Sequence, residues 1–288
     1  MKKFISVLLV VCALLALAVP AFAVNEGEER VVIGANLTDD QINSVYSQFG
    51  LTRGSVTELQ VTNAEERTYL EGLVAENIIG TNSISCVYIK TLGTNSGLTV
   101  TANNISWCTE DMYKSALMTA GIYDAEVKVG APFSVSGTAA LTGIYKAYES
   151  ITGVQLQEVA KEVANEELVI TAELADQLNS VDAVAIVNEM KLILDETQNM
   201  TDDELRTQIG QIAGQYGYTL DDTTISRLIS LCRSLEGLST DQLRQRLEQF
   251  KDTLSTVTEY AQKVEGFGQK VVSFFQKIGD FFSGLFSK

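Results

Sequence analysis

Two hydrophobic periodicities divide the chain near Gly153. Before it, short runs that alternate apolar and polar residues trade places with segments repeating every three to four residues. The first is the period of a half-buried strand and the second that of a helix lying on a core. Val31-Val32-Ile33 predicts a short strand, followed by a helix from about Asp39 to Phe49. Ser55 to Thr62, with Val56, Leu59 and Val61 apolar, predicts another strand. Asn63 then caps a helix running through Glu65, Glu66 and Tyr69 to Val74. Ile84–Leu92 and Leu98–Trp107 are rich in β-formers and flank Gly93-Thr94-Asn95-Ser96-Gly97, which predicts a hairpin. A helix from Glu110 to Ala120 stops at Gly121, a strand covers Ala125–Val129, and another helix covers Thr138–Ser150. A sheet of roughly four to six strands is expected.

After Gly153 the strand signals end, proline is absent, and helical spacing continues nearly to the C-terminus. Helices are expected over about Gln155–Asn179, Val181–Gln198, Asp202–Tyr216, Asp222–Leu235 and Thr240–Glu265. Leu174, Leu178, Val181, Val184 and Val187 carry the apolar spacing, as do Ile225, Leu228, Ile229, Cys232 and Leu235. The fold class is therefore α+β: a mixed α/β domain with a small sheet over residues 24–152, then an all-helical region over residues 153–265. Residues 266–288 form a separate amphipathic segment.

One local pattern recurs. Thr38-Asp39-Asp40-Gln41, Thr201-Asp202-Asp203-Glu204 and Ser239-Thr240-Asp241-Gln242 each fit the capping box, with apolar neighbours placed for a hydrophobic staple. The paired aspartates could also be read as calcium ligands, but no segment carries the spacing of an EF-hand loop. Acidic residues in a first turn already complement the helix dipole. The last two copies extend alike, as Glu204-Leu205-Arg206 and Gln242-Leu243-Arg244, which hints at a duplicated helical hairpin.

The C-terminal segment is polarised. Helical spacing gathers Phe267, Phe274, Phe275, Ile278, Phe281, Phe282, Leu285 and Phe286 on one broad face, with Lys270, Lys277 and Lys288 opposite. Two readings stand: a helix lying in a membrane interface or on an envelope partner, or a helix packed on its own core or on a second copy of the chain.

At the other end, Lys2 and Lys3 precede an apolar run from Phe4 to Val19, then Pro20 and Ala21-Phe22-Ala23. Charged, apolar and small-x-small parts in that order predict a signal peptide over residues 1–23, cleaved after Ala23. A secreted, extracytoplasmic chain is expected, associated with the membrane or the cell wall. The net charge of −16 over 288 residues repels phosphate backbones, so nucleic acid is a poor partner.

The chain has no histidine, which removes Ser-His and Cys-His nucleophile activation and the usual histidine-ligated zinc sites. An enzyme would have to work through carboxylates, a Ser-Lys pair or a bound metal. No catalytic residue, metal ligand or cofactor site is indicated. Cys86 and Cys108, on opposite arms of the expected hairpin, are read as a disulfide. Cys232 falls on an apolar helix face.

The segment Gly130 to Thr138 lies between a strand and a helix, where backbone N–H groups can meet an anion. It lacks both the P-loop and the dinucleotide fingerprint, and Ser136 as an N-cap would explain it without a ligand. Ser134, Ser136, Gly137 and Thr138 are nonetheless the candidate ligand-binding residues.

Several segments resemble the YpuA-like family of exported proteins from Gram-positive bacteria, catalogued as a domain of unknown function. The resemblance is carried by Thr119-Ala120-Gly121-Ile122, by Val129 to Ile144, by Asn165-Glu166-Glu167-Leu168-Val169 and by Gly279 to Phe286. It implies an extracytoplasmic envelope protein and carries no catalytic residue. The expectation is a non-enzymatic envelope protein that binds a partner or small ligand and docks through its C-terminal helix. The alternatives are a carboxylate- or metal-dependent hydrolase of an envelope polymer, and a secreted membrane-active protein.

Overall fold

The computed structural model describes residues 26–238 and Leu243. In the first half, β1 (Glu29–Gly34), α1 (Asp39–Phe49), β2 (Thr57–Val61), α2 (Asn63–Leu70) and the short α3 (Glu76–Ile79) come first. They are followed by β3 (Cys86–Thr91), β4 (Leu98–Ile105), α4 (Glu110–Thr119), β5 (Ala125–Val135) and α5 (Ala139–Thr152). The helical part comprises α6 (Glu158–Leu178), α7 (Asp182–Leu192), α8 (Leu194–Thr197), α9 (Asp202–Gln215) and α10 (Asp222–Glu236). The fold is α+β, with a mixed five-stranded sheet in the N-terminal half and helices after it.

The strand order is β2-β1-β3-β5-β4. Two parallel pairs, β1 with β2 and β4 with β5, each joined through a helix, flank β3, which runs antiparallel to both its neighbours. The expected hairpin is corrected here. The Gly93–Gly97 turn reverses the chain, but β5 inserts between β3 and β4. Burial explains the choice. All but one residue of β3 is buried, so it needs cover on both faces and sits centrally. β4 alternates buried and exposed positions over Leu98–Thr101 and occupies an edge.

Period-two alternation sends the strands' side chains to two cores. Val31, Ile33, Cys86 and Tyr88 pack against Ile42, Val45, Tyr46 and Phe49 of α1. Val32, Val87, Ile89, Val127 and Val129 face the other way, into a larger core built with α4, α5 and the helical part. That second core continues without interruption from the sheet to Leu228, Leu231 and Leu235 of α10.

Local chemistry sets the helix ends much as the pattern predicts. Thr38 and Thr201 each form complete capping boxes, and Asp39 and Asp202 turn outward to Arg53 and Arg233, at 2.7 and 2.9 Å. The cap of α2 is Thr62 rather than Asn63: Thr62 Oγ1 accepts from Glu65 N at 3.2 Å, and the Glu65 carboxylate accepts from Thr62 N at 2.8 Å. Two further expectations shift. The strand expected over Ala125–Val129 runs on to Val135, and the helix expected over Val181–Gln198 is divided at Ile193. The third capping box and the helix expected over Thr240–Glu265 lie outside the described residues, apart from Leu243, which is buried against the large core.

Candidate functional site

With β5 reaching Val135, the strand-to-helix turn shrinks to Ser136-Gly137-Thr138. Gly137 has φ +98°, and a Cβ there would run into the Tyr113 hydroxyl and Ile105 Cγ2, so only glycine makes this turn unstrained. The Tyr113 hydroxyl donates to Gly137 O at 2.6 Å, and Cys108 N donates to Ser136 O at 3.2 Å. These bonds pin the turn against the start of α4.

Ser136 does not cap α5. Its hydroxyl donates to Ile78 O at 3.0 Å, while Thr138 is the N-cap residue, in helical conformation and without a side-chain cap bond. No side chain caps α5, but a distant carboxyl bonds the Thr138 hydroxyl. Glu66 of α2, only 1% exposed, brings its carboxyl to the first turn of α5, where Thr138 Oγ1 donates to Glu66 Oε1 at 2.5 Å. The second oxygen takes a longer bond of 3.3 Å from Asn63 Nδ2. Burial raises the pKa of Glu66 above the usual carboxylate range, against the opposing pull of Thr138, Asn63 and Arg67.

Beside this carboxyl opens a cavity of about 310 Å³, lined by Glu66, Thr81, Asn82, Ser85, Ser136 and Thr138 among others. Two of the four sequence-predicted residues, Ser136 and Thr138, therefore border it, and Gly137 shapes the turn between them. Ser134 is exposed on β5. The Glu66 carboxyl lies at this helix N-terminus and is bonded to the Thr138 hydroxyl. The cavity is suited instead to a ligand that donates hydrogen bonds: Glu66 accepts, and Ser136, Thr138, Ser85 and Asn82 supply mixed polar groups. Among the described residues Glu66 is the only carboxyl bordering the cavity, so they do not present a pair of acids across it.

The expected disulfide is also corrected. Cys86 and Cys108 are free thiols, buried in different cores. Cys86 faces α1, whereas Cys108 packs in the large core. Burial pushes both thiols up to about 12 and Cys232 up to about 11, leaving all three protonated at neutral pH.

A polar cluster that pattern reading missed joins α4, α6 and α7. Lys191 Nζ donates to Ser115 Oγ and Ser115 O, both at 3.0 Å, and to Glu167 Oε1 at 2.9 Å. Ser115 Oγ lies 2.5 Å from Glu167 Oε1 and 2.7 Å from Asn188 Oδ1, and Thr119 Oγ1 donates to Glu167 Oε2 at 2.5 Å. This is the Ser-Lys juxtaposition that a histidine-free hydrolase would need. Ser115, Glu167 and Lys191 are, however, 2%, 1% and 0% exposed, and their polar groups are bonded to one another. Burial lowers the Lys191 pKa while Glu167 opposes the change. The cluster acts as a clamp between the two halves of the fold. Its signal in the sequence is a single lysine within the mostly apolar stretch Ala183 to Leu194 and the pair Glu166-Glu167 directly before Leu168-Val169-Ile170.

Residues 1–23, read as a signal peptide, and the aromatic face read over Phe267 to Phe286 lie outside the described residues. Among the described residues no helix is long and apolar enough to cross a membrane.

A family model described as "Protein of unknown function (DUF1002)" matches residues 33–257. A Bacillus subtilis protein, "Uncharacterized protein YpuA", is 36% identical over 267 residues, covering 90% of this chain and 91% of the relative. No solved structure matches.

Proposed function

We propose, for a chain that belongs to the DUF1002 family of proteins of unknown function, that it is an exported, non-catalytic binding module of the cell envelope. Its ligand enters the cavity at the β5–α5 turn and donates a hydrogen bond to Glu66. The observation that carries this reading is a carboxyl almost wholly removed from bulk solvent, with raised pKa, bordering an open polar cavity. Export is supported by the charged, apolar and small-residue order of residues 1–23, and docking on a membrane or envelope partner by the aromatic face opposite lysines near the C-terminus.

The cavity is tested on the isotope-labelled mature chain by amide chemical shifts of Ser136, Gly137 and Thr138, with acetamide and ethanolamine as probes. Saturable shifts with a Kd of about 1–10 mM, changed in Glu66→Gln, are expected. Shifts that do not saturate, or that are the same in Glu66→Gln, would reject the site. Docking is tested by flotation with anionic liposomes, comparing the mature chain with one ending at Glu265. Equal behaviour of the two forms would reject it.

A further inference from the structure

A pocket of about 220 Å³ lies between α6, α10 and the Gly72-Leu73 turn. Val169 and Ile170 line it from α6, Arg227 and Ser230 from α10, and its rim is open to solvent. Leu73 is 38% exposed there, an apolar wall without cover. Val159, Glu162, Glu166 and Ile170 recur at three- and four-residue spacing and so share one face of α6. Val159 is 55% exposed. Glu162 is exposed and Glu166 half-buried, and neither has an ion-pair partner among the described residues. This face of α6 therefore offers apolar surface at both ends and uncompensated negative charge between.

The course of the chain says what can reach it. α10 runs antiparallel to α6: Gln177 near the end of α6 donates to Asp221 at 3.0 Å, Arg227 pairs with Glu173, and Leu238 shares a cleft with Ala160 near the start of α6. Leu243 lines that same cleft and is 3% exposed. The capping pattern Ser239 to Gln242 follows closely on the end of α10 at Glu236. A short connection leaves consecutive helices antiparallel, so a helix begun there would run back along α6, toward the pocket.

The sequence beyond Leu243 fits that path. Apolar residues recur at alternating spacings of four and three, at Leu247, Phe250, Leu254, Val257, Ala261 and Val264, and every other position from Arg244 to Glu265 is polar except Tyr260. Such a narrow seam packs on one helix or between two, unlike the broad aromatic face after it. At about 1.5 Å per residue, Phe250 falls about 10 Å beyond Leu243, while Glu166 to Ile170 fall about 9–15 Å beyond Ala160, both measured from the shared cleft. The pocket has room for the ring, since an apolar cavity of about 150 Å³ takes up benzene. Arg244, Arg246 and Lys251 flank the seam and complement Glu162 and Glu166.

We infer that this face of α6 is the docking surface for the chain's own residues 243–264, which lie along it as a strap with the Phe250 ring in the pocket beside Leu73. As a helix the strap is about 32 Å long, the length of the 21-residue α6, so it delivers the aromatic segment to the far end of α6. It fixes where that segment leaves the body, whatever the segment then binds. Cys86, Cys108 and Cys232 are buried, so in the mature chain carrying Thr253→Cys a nitroxide label goes to the introduced thiol. The label should broaden the amide signals of Leu73, Ile170 and Ser230, and adding Phe250→Asp should restore them. Phe281→Asp should leave the broadening in place, so the strap and the docking of the aromatic face can fail separately. Mixing isotope-labelled chains that carry no nitroxide with nitroxide-labelled chains of natural isotope content distinguishes the chain's own segment from that of a second copy. Three outcomes overturn the proposal: no broadening at these three residues, broadening that survives Phe250→Asp, or broadening of the same signals in the mixed sample.

Discussion

Glu66 and Glu167 are both 1% exposed, and both accept a hydroxyl bond of 2.5 Å, yet their surroundings differ. Glu167 is enclosed by Ser115, Thr119 and Lys191, with a full opposite charge 2.9 Å away. Glu66 has one short bond, one long one, no lysine or arginine within ion-pair distance among the described residues, and a cavity beside it. Burial alone therefore does not mark a functional group. A buried acid whose bonds are completed by the protein holds helices together, and one whose bonds are incomplete next to open space is available to a ligand.

The largest effect should come from unpairing the enclosed acid. Lys191→Met leaves Glu167 buried without its counter-charge and should cost about 3–5 kcal/mol, read as a lower urea midpoint. Adding Glu167→Leu should recover much of that loss. If Lys191→Met proved neutral, the contrast between the two sites would collapse.

Gly137→Ala should come next, at about 1–3 kcal/mol, because it combines a positive φ with intrusion on Tyr113. It should also abolish probe-induced shifts at Thr138.

Glu66→Gln gives a smaller effect with a diagnostic sign. The folded-state pKa of Glu66 is raised above its ordinary 4.5, so protonated Glu66 favours the fold. That contribution is complete below pH 4.5 and is lost as pH rises through the raised value. The permanently neutral glutamine should match wild type in acid and exceed it by on the order of 1 kcal/mol above that range, in thermal melts run from pH 4 to 8. A difference that is flat with pH would place the Glu66 carboxyl in an ordinary solvated setting.

Thr142→Val should change least, leaving stability equal or raising it by up to about 1 kcal/mol, since it removes a hydroxyl with no partner. A clear loss of stability would mean that the hydroxyl is bonded within the protein.

Much of this architecture is legible along the chain. The strand at Val31-Val32-Ile33 and the Thr38 and Thr201 boxes appear where the pattern puts them. The candidate site was half legible: the turn was found, but Ser136, read as a cap, bonds Ile78 O, and Glu66 reaches Thr138 from another helix. The failed hairpin has the same origin. Glycine and asparagine at 93–97 encode a reversal of direction, and nothing in those residues states which strand will lie alongside. The disulfide inference inherited that error.

What the sequence determined by itself is whatever closes within a few residues. Strand and helix periods and the capping bonds all act over about four positions, so local composition is enough to specify them. The tertiary structure alone decided the order β2-β1-β3-β5-β4, the separation of Cys86 from Cys108, and the fates of the two acids. Thr138 reaches Glu66 across 72 residues and Lys191 reaches Ser115 across 76. Such contacts form only because covering both faces of the sheet brings these helices together, a global condition that no local stretch of sequence contains.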